Sequence, residues 1–312
     1  MKPVAEACKG GVVEVLDERR LREVVGALRA SRESTHNVRP QGGVREVPSR
    51  ETVAQSLADL SAALFPTHFA CQDLTDRTID LFVEDALRRG LGLLAEQVRR
   101  GLRFGPAGTI PAEEELTGRA TEIVRIFADG LTAIRATLVN DLRAAYAGDP
   151  AATNTSEILL CYPGFLAVMY YRFAHALHVL GAPLIPRMMT EIAKERTGID
   201  IHPGARIGAS FFIDHGTGIV IGETCIIGER VRLYQAVTLG AKKFLVGEDG
   251  RLVKGVPRHP VVEDDVVIYA GATVLGRITI GKGSTIGGNV WVTQDVAPGS
   301  SLTQAQMRSS SE

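Results

Sequence analysis

The sequence has no surplus of either charge. It carries 35 Lys and Arg against 36 Asp and Glu, so it lacks the basic excess used to bind nucleic acid or a membrane surface. No apolar run reaches the roughly 20 residues of a membrane span. The amino terminus, Met1-Lys2-Pro3-Val4-Ala5-Glu6, has no hydrophobic secretory core. Cysteine is scarce: Cys8, Cys71, Cys161 and Cys225 are far apart and show no zinc-like pairing, which suits a reducing compartment. These absences point to a soluble, cytoplasmic protein. At 312 residues, 45% of them hydrophobic, the chain has material for two domains with real cores.

What is present is a six-residue repeat between Ile201 and Val296. Its aliphatic positions are Ile201, Ile207, Ile213, Ile221, Ile227, Leu233 and Leu239, then Val262, Ile268, Val274, Ile280, Ile286 and Val292. Glycine often follows, and the position four later is usually small or β-branched, as at Ala205, Thr217, Cys225, Val231, Ala272, Ser284 and Val290. A 3.6-residue helix would scatter such a pattern around its cylinder. Short strands and tight turns fit it, with three hexads closing one triangular coil. A sandwich would need two-residue alternation instead. The register breaks twice, by eight residues from Ile213 to Ile221 and by twenty-three from Leu239 to Val262. Insertions leave a coil at its surface, where binding groups sit.

Before the repeat the pattern is helical. Residues 1–50 form an arm, partly disordered, with a helical stretch at Val12–Leu28 and a polar linker at Ser31–Pro48. Residues 51–196 form a helical domain. Helices are expected at Val53–Leu64, Thr75–Leu102, Ile158–Leu180 and Leu184–Arg196, and Leu116 to Leu142 reads as one further amphipathic helix. Tyr170, Tyr171, Phe173, His175 and His178 read as packing groups on an apolar helix. Residues 197–298 are the coil, with a long loop at 241–260, and residues 299–312 read as a frayed tail.

Three polar runs interrupt the coil: Asp200-Ile201-His202-Pro203, Asp214-His215-Gly216-Thr217-Gly218 and Arg258-His259-Pro260. Asp200 and His215 are fifteen residues apart in an eighteen-residue turn, so adjacent rungs can bring them to one edge. A carboxylate beside an imidazole makes a general base for a hydroxyl or amine. Taken alone, His215 among glycines fits a simple turn equally well.

Together with Gln235-Ala236-Val237-Thr238-Leu239-Gly240 and Asp149-Pro150-Ala151, these runs resemble the serine O-acetyltransferase family of cysteine biosynthesis. The hexads alone mark only the wider hexapeptide-repeat acyltransferases. The resemblance implies an α+β chain, an N-terminal α-helical bundle followed by a left-handed parallel β-helix of hexapeptide repeats. It also implies a homotrimer with sites between subunits, two trimers pairing through the helical domains, and acetyl transfer from acetyl-CoA to L-serine without a metal. In those terms His215 is the base, Asp200 its support and His259 a third catalytic group. Asp149 and Asp214 would hold the substrate ammonium, and Arg258 its carboxylate. Ala270 and Gly288, one turn apart, would line a track for CoA, and Lys242 and Lys243 would meet its phosphates. Ala270 and Gly288 also fit as plain turn residues, and a lysine doublet is commonly just solvated.

Loop 241–257 is longer than in many members of that family. The chain also ends in Glu312 without the isoleucine tail that docks into O-acetylserine sulfhydrylase, so that complex is not expected. Feedback inhibition by L-cysteine is common in the family. Three other readings compete. A sugar O-acetyltransferase would leave Asp149, Asp200 and Arg258 without a charged partner. A trimeric β-helix carbonic anhydrase would need His202, His215 and His259 aimed at one zinc ion. A non-catalytic scaffold would need none of these groups.

Overall fold

The computed structural model describes residues 15–35, 46–70, 74–104 and 111–304. Cys8, Cys71, part of the expected linker and residues 305–312 lie outside them. The chain divides into two compact units between Val47 and Pro48. In the first unit, α1 (Glu18–Thr35) carries the i,i+4 pair Glu18–Arg22 at 3.0 Å, a few tenths of a kcal/mol of helix support.

The second unit opens with eight helices among the described residues. They are α2 (Arg50–Leu64), α3 (Pro66–Phe69), α4 (Ile79–Leu102), α5 (Glu113–Asp129), α6 (Leu131–Gly148), α7 (Thr155–Cys161), α8 (Pro163–Val179) and α9 (Ile185–Thr197). Ser49 caps α2 by accepting from Thr52 N–H at 3.2 Å, and Ser56 donates to the Gly90 carbonyl of α4 at 2.8 Å. Leu57, Leu60, Leu94 and Val98 are fully buried between the two, each contributing about 1.5–3 kcal/mol.

Two of the expected helices break. The Leu116–Leu142 pattern is shared by α5 and α6, which part at Gly130, whose N–H bonds back to the Ile126 and Phe127 carbonyls. The Ile158–Leu180 pattern parts at Tyr162, because Pro163 opens α8 and has no N–H for α7 to use. Breaks of a single residue keep the apolar spacing nearly in phase, so periodicity passes over them.

After α9 the chain enters strands of two or three residues. These are β1 (Asp200–Ile201), β2 (Arg206–Ile207), β3 (Phe212–Ile213), β4 (Val220–Ile221), β5 (Ile226–Ile227), β6 (Arg232–Leu233) and β7 (Thr238–Gly240). They continue with β8 (Val261–Val262), β9 (Val267–Ile268), β10 (Thr273–Leu275), β11 (Thr279–Ile280), β12 (Thr285–Ile286), β13 (Trp291–Val292) and β14 (Ser301–Leu302). They stack in parallel as three faces, β1-β4-β7-β10-β13, β2-β5-β8-β11 and β3-β6-β9-β12-β14. The result is a left-handed parallel β-helix on an α-helical bundle.

Regular turns pair residues eighteen apart, Val220 with Thr238 and Thr273 with Trp291. The eight-residue step adds two residues to one turn, so Asp200 pairs with Val220, and the long loop lets Thr238 pair with Thr273 across its whole length. Twelve of the thirteen repeat aliphatics are under 5% exposed, and Ile207 is half-buried. Thr217 is exposed, because the two extra residues hand its inward place to Ile219. Cys225 fills an inward position as a buried free thiol.

The corners need left-handed backbone. Ser210, Arg230 and Asp265 stack in one column and Ala236 and Asn289 in another, with φ between 56° and 61°, at a cost of about 1–2 kcal/mol each. The tail reading is corrected in part, since Ser301-Leu302 pairs with Thr285-Ile286 and extends the third face by one strand. The bundle grips the coil through Asp141 of α6 and Arg172 of α8. Arg172 donates to Asp141 at 2.6 and 2.9 Å and to the Gly208 carbonyl at 2.9 Å, and Asp141 accepts from Phe211 N–H at 2.9 Å.

Candidate active site at two corners of the coil

The polar groups singled out in the sequence collect at two different corners. At the corner leading from the third face to the first stand Asp214 and His215, beside Asp149 at the end of α6. Asp214 is buried, accepts from Arg232 at 2.6 Å, and holds its other oxygen 3.8 Å from His215 Nε2. His215 has φ 58° and a 71%-exposed side chain, so the imidazole is displayed on strained backbone. Asp149 accepts from Tyr162 Oη at 2.5 Å and from Ala151 N–H at 2.8 Å. The tyrosine bond, then the amide bond, hold its carboxyl below the usual range, with Arg232 and His215 near enough to add to the effect. The same bond pushes Tyr162 up to about 12.

Arg232 lies over the rings of Phe212 and Tyr234, 5.0 and 4.6 Å from their centres, and Tyr234 stacks on Tyr269 at 5.0 Å. This column of side chains aims the guanidinium at Asp214. Ala270 and Gly288 lie lower on the same corner, where Asn289 N–H bonds to the Ala270 carbonyl at 2.9 Å.

The corner leading from the first face to the second carries Arg258 and His259. Arg258 pairs with Glu223 at 2.6 Å. Burial works to raise the Glu223 carboxyl, yet the Arg258 bond and charge hold it below its ordinary value. His259 is buried, and burial followed by the Arg258 charge pushes its imidazole down to about 4. Its Nδ1 accepts from Thr224 N–H at 3.1 Å. Its ring lies against Gly222, where any β-carbon would overlap it. Lys242 and Lys243 are on this corner too, in a cavity of about 380 Å³ with Phe244, Leu245 and Val253. The loop rises there as a small hairpin closed by Val246 and Leu252.

The structure therefore joins Asp149, Asp214 and His215, and separately joins Arg258, His259, Lys242 and Lys243. The two corners are separated by the first face, whose strands run at about 3.3 Å per residue. Asp200 joins neither set. It accepts from Lys194 of α9 at 2.7 Å and lies 3.8 Å from Arg187, since the residue before an inward-pointing isoleucine faces outward, here toward α9.

Tyr162, Glu223, Thr224, Arg232 and Arg277 had no role in the sequence reading. Arg277 was findable: it lies eighteen residues after His259, one full turn, and donates to the His259 and Thr224 carbonyls at 3.1 and 2.8 Å. Arg232 has no such signal, because the column that aims it forms only when the turns stack.

The zinc reading requires three imidazoles aimed at one point. His202 and His259 each present Nδ1 to a backbone N–H, from Gly204 and Thr224, and His215 stands at the other corner. Among the described residues no group of three His, Cys, Asp or Glu side chains is placed to hold a metal ion.

The parallel coil and its displayed polar corners define a transferase of the hexapeptide-repeat class, and the bacterial transferase hexapeptide (six repeats) family matches residues 259–294. A plasmid serine acetyltransferase of Synechococcus elongatus is 55% identical over 268 residues, covering 84% of this chain and 83% of that one. Serine acetyltransferase of Mycobacterium tuberculosis is 48% identical over 168 residues, covering 54% of this chain and 68% of the relative. Among solved structures, Entamoeba histolytica serine acetyltransferase 1 in complex with L-cysteine superposes with a TM-score of 0.70 at 40% identity, covering 80% of this chain and 86% of that one. The chain belongs to the serine acetyltransferase family.

Proposed function

We propose that this protein transfers the acetyl group of acetyl-CoA to the hydroxyl of L-serine, giving O-acetyl-L-serine and CoA as the first step of cysteine biosynthesis. The observation that carries this reading is the division of charge between the corners. Asp149 and Asp214 outweigh Arg232 at one corner and leave one net negative charge. Arg258 and Arg277 outweigh Glu223 at the other, and Lys242 and Lys243 add to its positive charge. A zwitterionic amino acid between them would meet a carboxylate with its ammonium and Arg258 with its carboxylate. A neutral sugar would use neither.

One chain holds the two halves apart, so the reading requires a homotrimer in which the His215 corner of one subunit faces the His259 corner of the next. His215 then takes the proton of the serine hydroxyl as its oxygen attacks the thioester carbonyl. The C–S bond breaks, and the imidazolium returns the proton to the departing thiolate. Asp200 supports that imidazolium, which requires it to exchange Lys194 for His215. His259 completes the site as a neutral hydrogen-bond donor. Lys242 and Lys243 meet the CoA phosphates, while Ala270 and Gly288, with no bulk to obstruct it, give the pantetheine arm a path along the corner.

L-Cysteine has the same ammonium and carboxylate as serine and competes for the same charges. The assembly pairs two trimers through their helical domains. Acetyl-CoA chemistry and a free buried thiol at Cys225 suit the cytoplasm. Purified protein given acetyl-CoA and L-serine is expected to release free thiol, and a panel of hydroxyl acceptors with no thiol release for serine would overturn the reading.

A further inference from the structure

We infer that Thr224 is a positioning residue that locks His259 in the tautomer carrying its proton on Nε2, so that His259 serves the reaction as a neutral donor. The inference rests on the acetyl-transfer reading above and adds a residue to it. Four hydrogen bonds join Thr224 to Arg258 and His259. Its Oγ1 accepts from the backbone N–H of Arg258 at 2.9 Å and of His259 at 3.1 Å. With both those donors pointing in, the hydroxyl proton is left to point out, and the group it meets is His259 Nδ1 at 2.9 Å. The Thr224 backbone N–H reaches the same nitrogen at 3.1 Å.

A backbone N–H can only donate, so Nδ1 must be an acceptor. The neutral ring then carries its one proton on Nε2. Two further contacts fix the ring in place. Gly222 lies flat against the Cδ2–Nε2 edge, and Arg277 of the next turn ties the Thr224 and His259 carbonyls together. Burial opposes protonation of the imidazole most strongly, the charges of Arg258, His202 and Arg277 act in the same sense, and Glu223 acts against them. A neutral ring with a proton on Nε2 cannot take a second proton there, so the base must be the other histidine. Thr224 thereby assigns the two histidines their roles: His215 accepts a proton and His259 donates a hydrogen bond.

The test compares Thr224→Val and Thr224→Ser with the unmodified protein in thiol-release kinetics from pH 5 to 9. Thr224→Val removes the hydroxyl but keeps the backbone N–H. Its kcat is expected to fall about 10–100-fold, the usual size of a misplaced hydrogen-bonding group, with the acid limb of the kcat/KM profile moving toward neutral pH as His259 becomes titratable. Thr224→Ser keeps every bond and is expected to recover most of the loss. Should Thr224→Val fail to fold, His259→Gln and His259→Ala decide: Gln places an N–H donor near Nε2 and is expected to retain at least about 10-fold more turnover than Ala. Unchanged kcat and profile in Thr224→Val, or equal turnover in the two His259 variants, would overturn the inference. If unmodified protein releases no thiol with serine, the functional reading fails instead.

Discussion

At the corner of Asp149, Asp214 and His215 the imidazole stands in solvent on left-handed backbone, while its carboxylates are held by Tyr162 and Arg232. At the corner of Arg258 and His259 the imidazole is buried, wedged against Gly222 and bonded to Thr224. One imidazole is displayed to solvent; the other is enclosed, and burial opposes its protonation. The contrast follows from the two insertions. Two extra residues can only bulge the turn outward and display His215. The long loop returns beside its own turn, so Pro260 carries the backbone back into register with Ile226 and seals His259 beneath it.

The largest expected effect tests the exposed corner. His215→Ala should lower turnover by about 10² or more if that imidazole is the base, measured as thiol release at saturating serine. A variant that keeps its rate would move the base elsewhere. The next separates the corners onto different chains. Protein co-expressed from His215→Ala and His259→Ala copies is expected to recover about one quarter of the unmodified activity, the chance that a shared site receives one intact half from each neighbour. Inactive mixtures would place the whole site within one subunit.

Weaker effects sharpen the charge assignments. Asp149→Asn is expected to raise the KM for serine about tenfold with less change in kcat. Arg258→Ala should do the same while also raising the half-inhibitory concentration of L-cysteine. The smallest effect concerns stability. Burial lowers the imidazole pKa of both His202 and His259 below the ordinary 6.5, His259 to about 4. The unfolded chain therefore takes up protons first as pH falls. Stability is fully present above pH 6.5 and declines toward pH 4, so the melting temperature should drop over that window, and His259→Gln should flatten the drop.

The coil was legible because its constraint is local. Every sixth side chain must point inward, and twelve of the thirteen aliphatics do so almost completely. The polar runs were legible because they break that rule. Less was legible where a side chain answers to a neighbour far along the chain. Asp200 was expected beside His215 from spacing and from the family resemblance, and neither signalled that Lys194 and Arg187 of α9 also approach it. The sequence reading of the helical region lacked α3 and missed the single-residue breaks at Gly130 and Tyr162.

The sequence by itself determined the repeat, the inward column of aliphatics, the position of both insertions and the kinds of polar group they bring. These follow from short-range geometry, in which a residue's place in the hexad decides its direction. Only the tertiary structure decided that the two histidines stand at different corners, that Arg232 is aimed at Asp214 by a column of aromatic rings, and that Thr224 faces the ring nitrogen of His259 across 35 residues of sequence. Those relations depend on which turns stack on which, and that is set by how far each insertion displaces the register.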